Sequence, residues 1–302
     1  MLQEIKKIFA DSMTPAVRAW IRYSPLTLGK TWLWEKFRWR DKEFVCKTKF
    51  GMQVTGNTHD QIQRYLYYFG IWEPNITHWI SSSLKAGDCF IDVGANIGYY
   101  SLLASKLVGE SGKVVAVEAA PWIHAMLNKQ IELNRLRNVR TVSAAAAETR
   151  GVLKIFAGAA DNIGSTTTVS SRLSSEKPAA EVKAFPLSEI LTEDEVKRTR
   201  IIKIDVEGAE LSVLRGLAPV LSRLRPDCEI LMEVSENLTP ETQEVTSEIF
   251  SLMQKYGFSA FVMENDYSSK SYLLKGTIKR PVALTGTRIE SQVDVLFSKA
   301  SY

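Results

Sequence analysis

The chain has 302 residues, 45% of them hydrophobic, 24% charged and 10% aromatic, with a formal charge of +4. That length suits one large domain or one domain with an appendage, and the apolar fraction excludes disordered, collagen-like and disulfide-scaffold classes. A charge of +4 falls short of the strongly basic face that nucleic acid requires, so no nucleic-acid partner is expected.

The first 50 residues carry a net +6 and the remaining 252 a net −2, and four of the seven tryptophans lie in that head: Trp20, Trp32, Trp34 and Trp39. Residues 43–55 alternate loosely around Phe44, Phe50 and Val54, with turn signals at Gly51 and Gly56-Asn57, and predict a hairpin. Residues 60–81 read as a helix, a break at Gly70 and a second helix begun around Pro74.

From residue 85 the pattern becomes regular. CFIDV (89–93) ends at Gly94, and Tyr99, Leu103 and Leu107 then recur every fourth residue as on a helix face. KVVAVEA (113–119) precedes a helix with Pro121 at its first position, and VRTVSAAAA (139–147) and IIKIDV (201–206) read as further strands. A leucine stripe at 214, 217, 221 and 224 leads to CEILMEV (228–234), and Thr239-Pro240 opens another helix. FSAFVM (258–263) and DVLFS (294–298) predict an antiparallel pair at the sheet edge, and residues 158–180 read as a long polar insertion. Apolar strands alternating with helices imply an α/β fold with a mostly parallel sheet. Three scattered cysteines, Cys46, Cys89 and Cys228, read as reduced thiols of a cytoplasmic protein. No run of 18 apolar residues occurs, and Asp11 interrupts the N-terminal apolar stretch, so neither a membrane span nor a secretory signal is expected.

Ligands of open α/β sheets bind beyond the carboxyl ends of the strands. There the first strand gives Asp92-Val93-Gly94-Ala95-Asn96-Ile97-Gly98. A dinucleotide fingerprint would place glycine where Asn96 stands, and an acidic side chain at Asp92 would repel a pyrophosphate. A carboxylate there suits a ligand with an ammonium group, such as the methionine part of S-adenosylmethionine (SAM). Glu118 ends the second strand 20 residues after Gly98, placed to accept hydrogen bonds from a ribose diol. A plain strand–turn–helix with Asp92 as a cap is the bland alternative.

FIDVGANIGYYSLLA (90–104), VAVEAAP (115–121), KIDVEGAELSVLRG (203–216) and ILMEV (230–234) closely resemble the FkbM family of SAM-dependent methyltransferases, as do residues 60–76, MENDY (263–267) and DVLFS. The resemblance implies a Rossmann-like class I methyltransferase, with a mostly parallel seven-stranded sheet whose last strand is antiparallel. A methyltransferase domain would occupy residues 81–302, and residues 1–80 a basic, aromatic helical and hairpin cap. It also implies that Asp92, Gly94, Ala95, Asn96 and Gly98 hold the methionine part of SAM, and Glu118 its ribose. Family members often have proline directly after this glutamate, whereas here Ala119-Ala120 precede Pro121. Ala119, Ser143 and backbone near Ala145 would serve the adenosine end. Glu73 and Asp205 complete the expected cofactor contacts. The implied reaction is O-methylation of a hydroxyl on a glycan, polyketide or similar small molecule.

Methyl transfer to a hydroxyl needs the acceptor held in line and its proton accepted by a base. Asp205 and Glu207, after the fourth strand, and Glu233, at the end of the fifth, are the expected catalytic carboxylates, with Glu210 nearby. They offer a general base, hydrogen bonds to substrate, or oxygen ligands for Mg²⁺. Glu207 and Glu210 also suit the positive end of the following helix. His59, His78 and His124 form no metal-ligand pattern. The head, residues 1–50, reads either as a cap packed on the catalytic domain or as a peripheral contact to the inner face of an anionic membrane. A nicotinamide oxidoreductase and a non-catalytic glycan-binding protein are the other readings of this sheet.

Overall fold

The structure is a computed structural model that describes residues 14–169, 177–234, 240–273, 278–284, 289 and 292–300. The chain divides into two compact units.

The first unit comprises Met1–Pro74, Ala160–Asn162 and Asp266–Ile278. It contains α1 (14–23), α2 (Lys30–Phe37), the antiparallel hairpin β1 (Glu43–Lys47) and β2 (Gln53–Asn57), and α3 (Gln61–Phe69). Asp60 caps α3 by accepting the Gln63 N–H, and Gly70 ends it in a left-handed conformation (φ 71°) that glycine adopts without strain. Trp34 is the anchor of this unit. It is 1% exposed, with Tyr65 and Tyr68 edge-on at 5.3 and 5.5 Å and Phe69 tilted at 4.8 Å. Such pairs add roughly 0.5–1.5 kcal/mol each beyond the area they bury. Of the four head tryptophans, only this one is a core residue; Trp20, Trp32 and Trp39 are exposed.

The second unit takes up the chain at Asn75, within α4 (Pro74–Ser83). It continues through β3 (Cys89–Val93), α5 (Tyr99–Val108), β4 (Lys113–Glu118), α6 (Pro121–Leu133) and β5 (Val139–Ser143). Next come β6 (Ala145–Ala146), β7 (Gly151–Ile155), β8 (Ala180–Phe185), α7 (Leu187–Ile190), α8 (Glu193–Arg198) and β9 (Thr199–Ile204). The last elements are α9 (Glu210–Leu217), β10 (Glu229–Val234), α10 (Pro240–Lys255), β11 (Ser259–Met263), β12 (Val282–Ala283) and β13 (Val293–Ser298). The sheet order is β12-β11-β13-β10-β9-β3-β4-β5, parallel from β10 through β5 and antiparallel at β13, β11 and β12. From β3 the chain moves outward one way to β4 and β5, and from β9 the other way to β10, so the switch point lies between β3 and β9. This is the mostly parallel sheet, with β13 antiparallel between β10 and β11, that the sequence resemblance implies. Cys89, Ile91, Val115, Ile202, Ile230 and Phe297, all at most 1% exposed, join α9 and α10 in the main core.

Four sequence expectations are corrected. Among the described residues the sheet has eight strands where seven were expected, because Val282–Ala283 adds a two-residue strand beyond β11. The run 139–147 is two strands in two sheets: β5 in the main sheet, and β6 beside β8 in a three-stranded sheet with β7. The polar insertion lies between β7 and β8, which pair as an antiparallel hairpin, and a bridge joins Phe156 to Thr167; residues 170–176 lie outside the described residues. Finally, the leucine stripe is α-helical only to Leu217 and continues as a 3₁₀ turn over Ala218–Arg223, where Pro219 has no N–H to extend the ladder.

Candidate active site

The carboxyl end of β3 meets that of β9. The Asp205 N–H donates to the Val93 carbonyl at 3.0 Å. Gly94 (φ 80°) passes so close that a Cβ there would lie 1.8 Å from the Asp205 carbonyl oxygen, so only glycine permits this junction. The N–H groups of Gly94 and Ala95 both donate to the Val117 carbonyl, at 2.9 and 3.0 Å, tying the loop to β4. Asn96 adopts φ 50°, a left-handed conformation that asparagine tolerates better than most residues. Its N–H donates to Glu118 Oε2 at 2.9 Å, while Ala120 N–H donates to Oε1 at 2.9 Å. A backbone N–H from Ala119 also reaches this carboxylate, a donor that a proline directly after Glu118 would lack. Burial pushes the Glu118 carboxyl up to about 7, against the opposing pull of those backbone bonds. Each oxygen retains a lone pair for a further donor such as a ribose hydroxyl.

Asp92 is 1% exposed and accepts a 2.6 Å hydrogen bond from Ser101 Oγ. Burial raises its carboxyl; the Lys203 charge and the Ser101 hydroxyl oppose that rise. Lys203 stands in register with Asp92 across the β3–β9 pair, 4% exposed. Its ammonium makes a 2.7 Å ion pair with Asp205 Oδ2 and lies 5.0 Å from the Tyr100 ring centroid. A lysine in the apolar run IIKIDV was the available signal for this bridge, but sequence reading gave it no role.

Asp205, Glu207 and Glu233 come together, with carboxylate oxygens within 4.8 Å of one another. Glu207 has φ 56° and Gly208 φ 106°, and the turn is held by Thr167 Oγ1 donating to the Glu207 carbonyl at 2.7 Å. Such backbone conformations in ordinary side-chain-bearing residues cluster at functional sites. Glu210 accepts the N–H groups of Val206 (3.3 Å) and Gly208 (2.9 Å), so it shapes this turn. Burial, then the charges of Asp205 and Glu207, push the Glu233 carboxyl far above the usual carboxylate range. Gln292 Nε2 donates to Glu233 Oε1, and its buried Oε2 has no hydrogen-bond partner among the described residues. Asp205 Oδ2 is already paired with Lys203 Nζ, and Glu233 Oε1 already accepts from Gln292, so two of the three carboxylates spend an oxygen on a neighbouring donor, which does not suit a divalent cation such as Mg²⁺.

Of the remaining expected residues, Gly98 (φ 89°) starts α5, with Leu127 against the space a Cβ would take. Ala119 is partly buried beside Glu118. Ser143 pairs in register with Glu118 at the end of β5 and is exposed, and Ala145 is buried in β6. In the first unit, Glu73 is 5% exposed with φ 41°, its Oε1 accepting from Tyr267 Oη and its N–H donating to Tyr272 Oη, both at 2.9 Å. His59 and His78 are exposed, and His124 Nδ1 lies 3.2 Å from Asn128 Nδ2 on α6.

Residues 92–260 match the family described as the Methyltransferase FkbM domain. The chain is 26% identical over 209 residues to Methyltransferase sdnD of Sordaria araneosa, covering 59% of this chain and 76% of that protein. Over 147 residues it is 29% identical to Methyltransferase 1 of Beauveria bassiana, covering 43% of this chain and 59% of that protein. Among solved structures it is similar to Methyltransferase FkbM from Methylobacillus flagellatus, at 14% identity and TM-score 0.44 over 79% of this chain and 55% of that one. Aeropyrum pernix fibrillarin with S-adenosyl-L-methionine gives 12% identity and TM-score 0.42 over 92% and 86%. With more than half of its length matched by the family, and with the glycine loop and acidic strand ends joined at one switch point, this chain belongs to the FkbM methyltransferases.

Proposed function

We propose that this chain uses SAM to methylate a hydroxyl group of a small-molecule or glycan acceptor, a sugar or polyketide being the class that fits best. When bound, SAM supplies an electrophilic methyl group on a sulfonium. The loop Gly94–Gly98 would take its methionine part, with Asp92 behind, Glu118 its ribose diol, and Ala119, Ser143 and the backbone at Ala145 its adenosine end. The observation that carries the reading is the junction of this loop with the carboxylate cluster, where Gly94 touches Asp205. An isolated carboxylate is a weak acceptor for an alcohol proton. Asp205, Glu207 and Glu233 lie within 4.8 Å of one another, so a hydroxyl held against the cluster meets a carboxylate that can take its proton as the methyl is transferred.

Calorimetry should show SAM binding with no comparable binding of NAD(H); the opposite pattern would overturn the reading in favour of hydride transfer. With an acceptor found by mass spectrometry after incubation with labelled SAM, Asp205→Asn should retain SAM binding. It should also lose about 10²–10⁴-fold in kcat, the usual contribution of a positioned base. Near wild-type turnover would remove Asp205 from that role.

A further inference from the structure

The first unit carries an exposed apolar patch that the methyltransferase reading does not use. At the junction of α1 and α2, Trp20, Tyr23, Leu26, Leu28 and Trp32 are 39%, 71%, 58%, 83% and 61% exposed. The turn that presents them is built, not frayed. Leu26 N–H donates to Ser24 Oγ at 3.1 Å, Lys30 Nζ reaches back to the Ser24 carbonyl at 2.7 Å, and Trp20 Nε1 donates to the Leu28 carbonyl at 3.3 Å. Leaving two leucines and three aromatic rings in water on an ordered turn is costly, and contiguous patches of this kind mark interaction sites.

The charges say what the patch meets. Residues 14–40 hold six cations against one carboxylate, Glu35; Lys36 is exposed, Arg18, Arg22, Arg38 and Arg40 are half-buried, and Lys30 is buried. Lys36 Nζ lies 4.7 Å from the Trp32 ring centroid and Arg22 Cζ 5.4 Å from that of Tyr23, so cationic heads flank the apolar tip. A second copy of the chain would bring the same cations face to face, which like-charge repulsion disfavours. Exposed leucines and aromatic rings, with Lys36 and Arg22 against two of those rings, match the composition of a bilayer interface with anionic headgroups.

We infer that this turn docks the protein on the surface of an anionic lipid bilayer, with Leu26 and Leu28 entering the headgroup–acyl boundary. The inference is independent of the reaction at the second unit. The full chain should co-sediment with vesicles containing phosphatidylglycerol, bind vesicles of phosphatidylcholine alone far more weakly, and be partly released by salt. Leu26→Asp with Leu28→Asp should lower partitioning at least about tenfold, with the circular dichroism spectrum and Tm unchanged, because both side chains are exposed. Equal sedimentation of the variant and the parent, or no sedimentation with anionic vesicles, would overturn it. So would light scattering that shows a dimer abolished by the same substitutions, which would assign the patch to a second copy.

Discussion

At Glu118 two physical demands compete: a carboxylate that is to accept ribose hydroxyls works best ionised, yet it is 7% exposed. Its carboxyl is raised from 4.5 to about 7 by that burial. A raised acid binds its proton more tightly when folded, so it adds stability below pH 4.5 that is lost as pH climbs through 7. The shift corresponds to about 3 kcal/mol. Urea unfolding at pH 5 and pH 8 should therefore show the parent losing about that much relative to Glu118→Gln, which lacks the titration. Donors from a ribose favour the ionised form, so SAM affinity should also weaken as pH falls below 7, and a flat Kd across that range would separate Glu118 from the ribose. Both Glu118 and Gly94 were legible in the sequence, since a glycine at a strand end and an acid 24 residues later are local signals with fixed meaning. Gln292 was not, because only the antiparallel return of β13 brings it to Glu233.

The strands show where periodicity stops informing. In β9 the pattern marks a buried strand correctly, but a hydropathy pattern treats Lys203 as an interruption when it is the strand's polar hinge between Asp92 and Asp205. Removing one partner of a buried charged set leaves the other uncompensated, at a cost of about 3–5 kcal/mol. Lys203→Met should destabilise by that order, and adding Asp92→Asn should restore part of it in a double-mutant cycle followed by urea unfolding. Strictly additive effects would mean that the two do not interact. The β7–β8 hairpin is not legible in the sequence for a different reason. Its partners, Ile155 and Ala180, are separated by a polar segment, and β7 buries little besides Ile155, so no alternation announces it. β12, with two exposed residues, has no period at all.

Across the whole molecule, the modest +4 is the sum of a +6 head and a −2 remainder, and the structure puts the head's exposed tryptophans on the same unit as that charge. The sequence reading of reduced thiols finds Cys46, Cys89 and Cys228 free and buried, at 6%, 0% and 0% exposure. Burial pushes Cys89 and Cys228 up to about 12 and raises Cys46 as well, so none offers a reactive thiolate near neutrality. A chromogenic disulfide reagent should leave all three unreacted in the native protein and modify all three in guanidinium. Fast native labelling at any one would show a local opening that exposes it.

The two-residue strand β12 has a meaning beyond strand count. Among the described residues the open sheet of eight strands ends in two borders, each a row of backbone groups on which a passing chain could crystallise into fibre. On one border β12 offers a stub of two residues, too short to template a neighbour. On the other, β5 carries Arg140, locked at 2.6 Å to Glu195, a charge that an incoming strand would have to strip from its partner. A sheet wide enough to nucleate growth at either flank is thereby closed to it at both.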